Sequence, residues 1–152
     1  MTKQEFKDFC HEEFTKRGFR KRKKMYYLNG KDLLCGLYLQ KSMAEGYYVE
    51  YDYFLGAYGD VKEYPTTYES DIFRRIMVLS KDTINGERFM DALIEYERYT
   101  EEEIRPYFDE AFDRYIMPPL FEGKKFLLEN REHYFRALFP EEVSKVLEKL
   151  QK

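Results

Sequence analysis

The sequence predicts an α+β fold: an N-terminal helix, a mostly antiparallel meander sheet of about five strands, and C-terminal helices packed on one sheet face. Three observations support this prediction. An amphipathic helical pattern opens the chain, alternating apolar segments joined by turn signals fill the middle, and helical patterns return near its end. At 152 residues the length predicts one domain that buries its core without a metal or disulfide staple.

The opening helix is predicted over residues 2–17. Thr2 and Glu5 have the spacing of a capping box, in which each side chain accepts from the other residue's backbone N–H. Phenylalanines recur at helical spacing and form one apolar stripe. Cations in the last turn, followed by Gly18, predict where the helix ends.

The sheet is predicted from alternation and turn signals. The predicted strands are residues 19–28, 32–40, 47–55, 72–80 and 88–96. Asn29-Gly30 and Asn85-Gly86 are both tight-hairpin signals, because Asn and Gly tolerate positive φ. Gly36 indicates a bulge or a close approach by a helix. The last strand also fits a helical period, and we prefer the strand.

Between the third and fourth strands, residues 56–71 are rich in turn formers. Irregular segments of this length are often functional or mobile. After this sheet, Thr100 and Glu103 form a second capping box, which opens a helix that Pro118-Pro119 should end. Two shorter helices are predicted over residues 123–138 and 140–150. We expect the first helix and the 100–117 helix to lie on the same face of the sheet.

Composition excludes several classes of protein. No apolar run approaches the roughly 20 residues that cross a bilayer, and the N-terminal residues carry acids where a secretion signal would be apolar. Cys10 and Cys35 are too few for a disulfide framework, which predicts a reducing, cytoplasmic setting. Charge is uneven, since residues 1–41 hold 11 cations against 5 acids and the remainder holds 15 against 24.

The basic run Arg20 to Lys24 is the first candidate site. Clustered cations can bind nucleic acid by releasing phosphate counterions. Along a strand, Arg20, Arg22 and Lys24 would point one way and the two intervening lysines the other, which is typical of a soluble edge strand. Because the whole chain is acidic, we favour the edge interpretation and keep nucleic-acid binding as an alternative.

The second candidate site is the tyrosine-rich third strand. Glu50 and Asp52 are two residues apart and therefore share a sheet face, where they could act as an acid/base pair in a small-molecule binder or hydrolase-like enzyme. The alternative, which we favour, is that they lie on a solvated outer face. The tyrosine candidates for binding are Tyr48, Tyr51, Tyr53, Tyr58 and Tyr64.

Other chemistry has little support. His11 and His133 are the only histidines, and neither has a zinc-ligand spacing, so no metal site and no cofactor is predicted. Cys10 and His11 are neighbours on a helix and point about 100° apart, so Cys10 is better explained as a core residue. The chain has no Gly-rich phosphate loop and no GxSxG motif.

Several short segments resemble domain-of-unknown-function family 4304. They are the sequence from Arg17 to Lys21, Tyr26-Tyr27, the sequence from Leu37 to Ser42, and the helix end from Tyr115 to Leu120. The ending Tyr53-Phe54-Leu55-Gly56 departs from the family pattern, which has a simpler apolar-to-glycine ending. The resemblance implies an α+β fold and no catalytic residues.

Function is predicted as protein binding without catalysis. Small bacterial proteins of this build can serve as immunity or antitoxin-like partners, by analogy at the level of the fold. The partner would bind the tyrosine-rich sheet face or the 56–71 segment. This hypothesis predicts a groove with aromatic walls and no deep polar pocket.

Overall fold

A computed structural model describes residues 1–56 and 64–151. The helices are α1 (Lys3–Thr15), α2 (Glu101–Ala111), α3 (Pro118–Glu122), α4 (Lys124–Glu129), α5 (Arg131–Tyr134) and α6 (Pro140–Leu150). The strands are β1 (Arg20–Arg22), β2 (Met25–Asn29), β3 (Leu34–Lys41), β4 (Tyr47–Phe54), β5 (Ile72–Arg75), β6 (Val78–Ile84), β7 (Glu87–Asp91) and β8 (Leu93–Ile94). The predicted α+β class is confirmed.

The main sheet is an antiparallel meander of six strands. Its order is β1-β2-β3-β4-β5, and β8 pairs with the start of β4. A separate hairpin consists of β6 and β7. The predicted strand 72–80 is therefore divided between the sheet and the hairpin. The predicted strand 88–96 is divided in the same way, and the preference for strand over helix there is confirmed.

The predicted first strand is wrong in one respect, because it folds back on itself. β1 and β2 pair antiparallel, with Arg22 opposite Met25, and Lys23 takes the positive φ of 57° that the turn requires. All five residues of the basic run are exposed on this hairpin. The run therefore follows a tight turn and does not form a straight edge strand.

The two Asn-Gly signals have different outcomes. Asn85 and Gly86 adopt φ of 53° and 80° and connect Ile84 to Glu87, as a tight hairpin turn requires. The other signal is wrong as a two-residue turn, because Asn29 pairs with Leu34 and four residues connect the strands. The Gly30 N–H donates to the Leu33 carbonyl at 2.8 Å inside that wider connection.

The helical layer follows the prediction closely. Both capping boxes are present, at Thr2 and at Thr100, and α1 and α2 lie on the same face of the sheet. The rings of Phe9 and Phe108 are 5.2 Å apart at the contact between the two helices. Arg105 of α2 also donates to the buried Glu13 carboxylate of α1 at 3.0 Å. These contacts place an aromatic-rich core between the helices and the sheet.

After α2 the chain continues in a π turn, residues Phe112–Ile116. The helix that opens at Thr100 ends at Ile116, just before Pro118-Pro119 as predicted, and the two prolines begin a separate short helix, α3. Because proline has no N–H, Pro119 cannot donate the helical hydrogen bond that the Tyr115 carbonyl would otherwise accept. The predicted 123–138 helix is wrong as one unit, since α4 and α5 are separated near Asn130.

The second face of the sheet is covered, which contradicts the predicted solvated face. Glu50 is 7% exposed, and Asp52 and Phe54 are fully buried. Phe54 packs in a second apolar cluster with Met25, Tyr27 and Leu34. The chain segment of residues 64–70, which we call the cover segment, lies over this face and hydrogen-bonds to it.

Within the described residues, no helix has both the length and the apolar character needed to cross a membrane.

Candidate functional site

A groove of about 860 Å³ lies between the β1–β2 hairpin, β3 and the cover segment. We call it the tyrosine–cation groove. It is lined by Arg22, Lys23, Lys24, Met25, Tyr27, Tyr38, Tyr64, Thr66, Thr67 and Tyr68. Three cations and four tyrosines thus converge from three segments that are distant in the sequence.

The hairpin turn presents the cations to the groove. Because Lys23 adopts positive φ, the chain reverses within two residues, and Arg22, Lys23 and Lys24 all line the groove. The Arg22 guanidinium carbon lies 5.5 Å from the centre of the Tyr64 ring, a cation–π distance. Arg20, which was predicted with this patch, is not among the groove residues.

The cover segment is held in place by hydrogen bonds from the sheet. Tyr27 donates its hydroxyl proton to the Pro65 carbonyl, and the Tyr27 and Tyr64 rings are 4.9 Å apart. The Thr66 N–H donates to the Glu69 carboxylate at 2.7 Å, which closes a short 3₁₀ turn. These contacts leave Tyr64 half-exposed and Tyr68 95% exposed on the groove side of the segment.

The carboxyls of Glu50 and Asp52 lie beneath the cover segment. The Thr67 hydroxyl donates to Glu50, whereas neither Asp52 oxygen accepts a hydrogen bond from residues 1–56 or 64–151. Burial, and then the charge of Glu50, raise the pKa of Asp52 well above its usual range. A protonated Asp52 has the donor that can pair it with Glu50. Asp52 therefore retains its proton at neutral pH.

In the part of the chain that the structure describes, this pair has no open approach for a substrate. Asp52 is 0% exposed, and neither carboxyl lines the tyrosine–cation groove. A substrate of the hydrolase-like alternative would have to displace Thr67 before it reached them. The arrangement is suited to holding the cover segment against the sheet.

The other tyrosine candidates are divided between the two faces of β4. On the Glu50 side, the Tyr48 ring lies 4.0 Å from the Arg75 guanidinium carbon and is outside the groove. On the helix side, the buried hydroxyl of Tyr53 donates to the Tyr115 carbonyl at 2.8 Å, replacing a helix bond that the prolines removed. Tyr51 contacts His133 on the same side.

Of the residues predicted from the sequence, the structure brings Arg22, Lys24 and Tyr64 together in the groove. Tyr58 lies outside the described residues. Lys23 was part of the predicted basic run but was assigned to the opposite strand face, and the tyrosines at positions 27, 38 and 68 were not predicted as groove residues. The sequence shows that tyrosines recur along the predicted strands. Those tyrosines form a groove only because the cover segment lies beside them.

The fold is thus an α+β domain with helices on one sheet face and a covered, groove-bearing second face. The chain belongs to the family described as Domain of unknown function (DUF4304), whose model matches residues 10–122. The matched residues include every strand and the whole tyrosine–cation groove. No curated protein and no solved structure matches the chain.

Proposed function

We propose that this protein is a non-enzymatic interaction module that binds an acidic, extended segment of a partner protein in the tyrosine–cation groove. One observation carries the proposal: the exposed basic turn and tyrosines from two other segments line the same groove. Tyrosine and arginine are the residue types that dominate binding energy at protein interfaces. The groove therefore combines a charge preference with apolar contact surface.

Charge complementarity favours an acidic occupant. Among the residues that the structure describes, the groove lining contains three cations and no carboxylate. Exposed charges of this kind mainly increase the association rate and select the sign of the partner. The tyrosine rings add contact area at low entropic cost, because each has few rotatable bonds.

Binding can be measured by the fluorescence anisotropy of a labelled peptide of alternating Glu and Leu, with its Lys-Leu counterpart as the charge control. The double variant K23Q/K24Q removes two groove cations and should weaken binding about fivefold or more. The variant R20Q/K21Q removes the same charge from the same hairpin but outside the groove, so it should have a smaller effect. Y68A tests the aromatic wall at a position too exposed to affect folding.

The result that would overturn the proposal is equal weakening by the two double variants, or equal affinity for the acidic and basic peptides. Single-stranded oligothymidylate is the third ligand to test, because tyrosines beside cations also suit base stacking. Binding of the oligonucleotide without binding of the acidic peptide would replace the proposal with the nucleic-acid alternative. High salt should weaken either charged complex.

We further propose a cytoplasmic setting, which two buried, unpaired cysteines support. An immunity or antitoxin-like role would be one form of this interaction, with the acidic segment supplied by a toxin.

A further inference from the structure

A second, smaller groove lies on the opposite side of the sheet, between β5, the π turn and α5. Its volume is about 230 Å³. The residues that matter for its chemistry are Tyr51, Arg74, Tyr107, Tyr115, His133 and Arg136. We call it the arginine–histidine groove. His133 and Arg136 lie beyond the residues that the family model matches.

The centre of this groove is fixed by a hydrogen bond and a ring stack. The Tyr51 hydroxyl and His133 Nε2 are 2.7 Å apart, and the Tyr115 ring stacks on the imidazole at 3.8 Å with an 8° tilt. Burial raises the pKa of Tyr51 well above its usual range, so its phenol remains protonated and can donate to His133 Nε2.

The imidazole is neutral in a strongly positive setting. Burial, followed by the charges of Arg74, Arg136 and Arg114, lowers the pKa of His133 to about 4. A neutral His133 offers one N–H donor near two guanidinium groups without adding a third full charge to them.

Negative charge in the groove does not balance these arginines. Neither Arg74 nor Arg136 has a carboxylate within 4.0 Å in the part of the chain that the structure describes. Glu110 is the groove's carboxylate, and it lies 3.6 Å from Arg114. Arg74 Nε is also shielded from solvent and has no hydrogen-bond acceptor among residues 1–56 and 64–151. The groove therefore holds guanidinium charge that the described carboxylates do not neutralise, and a bound anion would neutralise it.

We propose that the arginine–histidine groove binds a small organic oxyanion, a phosphate monoester or a carboxylate, with its charged group between Arg74 and Arg136. Guanidinium groups suit this role because they pair with two oxygens of one anion. Met77, Met90 and Tyr107 supply an apolar wall for the organic part of the ligand. The volume is smaller than that of a drug-sized pocket, which limits the ligand to about one ring.

The two histidines make the test specific. His133 lies in the proposed site, and His11 lies on α1, where it contacts the Tyr26 hydroxyl at 2.7 Å. Phenyl phosphate and benzoate are titrated separately at constant ionic strength, and the imidazole C–H resonances are followed by NMR. The His133 signals should shift and saturate with at least one ligand, while those of His11 remain in place. The ligand that saturates at the lower concentration distinguishes phosphate from carboxylate recognition.

Matched variants assign the contacts. R136Q, and separately R74Q, should weaken the saturating ligand roughly tenfold or more. R20Q removes the same charge from the distant hairpin and should leave the affinity unchanged. R136Q keeps the test valid if R74Q fails to fold, because Arg136 is exposed. The proposal is overturned if neither ligand shifts His133, if both histidines move together, or if R20Q weakens binding as much as R136Q.

Discussion

Replacing Asp52 by asparagine should stabilise the protein at neutral pH. Asp52 is 0% exposed, and burial beside Glu50 raises its pKa in the native state well above the usual range. In the unfolded chain this carboxyl ionises above a pKa of about 3.9. Between that pH and the native pKa, the unfolded state has released a proton that the native state retains. The contribution of this carboxyl to the free energy of unfolding is therefore fully present below the unfolded pKa. It is lost as the pH rises from there toward the native pKa.

The magnitude follows from the same linkage. Each pH unit above about 3.9 costs about 1.4 kcal/mol of unfolding free energy until the native pKa is reached, so at pH 7 the limit is about 4 kcal/mol. Relaxation around the buried group reduces this limit, and we expect D52N to gain about 2–4 kcal/mol at pH 7. The gain should grow with pH and vanish near pH 4, because the introduced amide does not titrate.

Urea unfolding at several pH values between about 4 and 8 measures this effect. D82N is the matched control, since Asp82 is exposed and pairs with Arg98 at 3.0 Å. Its removal should leave the pH dependence of stability close to that of the wild type. A D52N protein that is less stable than wild type by a constant amount across this range would show that Asp52 is ionised in the native state, and would refute the protonated Asp52.

Two further substitutions test the packing of the sheet by urea unfolding. Y53F removes one of two hydroxyls that donate to the Tyr115 carbonyl. Because the Tyr134 hydroxyl still donates to that carbonyl at 2.7 Å, the loss should cost only about 1 kcal/mol. An unchanged midpoint would contradict this role. G36A would place a methyl group 2.9 Å from Met25 Cε and 3.1 Å from Phe54 Cε2, and should cost about 1–3 kcal/mol. Wild-type stability in G36A would show that the second face is loosely packed.

The features that the sequence predicts well are local. The capping boxes at Thr2 and Thr100 and the turn at Asn85-Gly86 depend on residues no more than three positions apart. Their hydrogen bonds and dihedral angles therefore depend on neighbouring residues and not on tertiary packing. The turn at Lys23 was missed because lysine seldom adopts positive φ, and here pairing between β1 and β2 imposes it.

The covered second face could not be predicted from strand alternation. Alternation shows that Glu50 and Asp52 share a face, but not whether another segment covers that face. The cover depends on contacts such as Tyr27 to Pro65, which are 38 residues apart. Phe54, on the same face as the two acids, was the available sign that this face is apolar at one end.

The arginine–histidine groove escaped prediction for a related reason. Its residues come from β4, β5, the π turn and the C-terminal region, and no two of its polar groups form a recognisable spacing. His133 was judged only as a metal ligand, whereas the structure gives it a tyrosine partner and arginine neighbours.

The most direct test of the central claim uses tyrosine-selective ¹⁵N labelling, since the chain has 15 tyrosines and they lie on both sheet faces. The labelled protein is titrated with the Glu-Leu peptide, and backbone amide shifts are recorded. An acidic segment in the tyrosine–cation groove should shift Tyr27, Tyr38, Tyr64 and Tyr68 and leave the helix-side Tyr53 unchanged. Shifts confined to the helix side, or no shift at a peptide concentration that saturates the anisotropy signal, would contradict it.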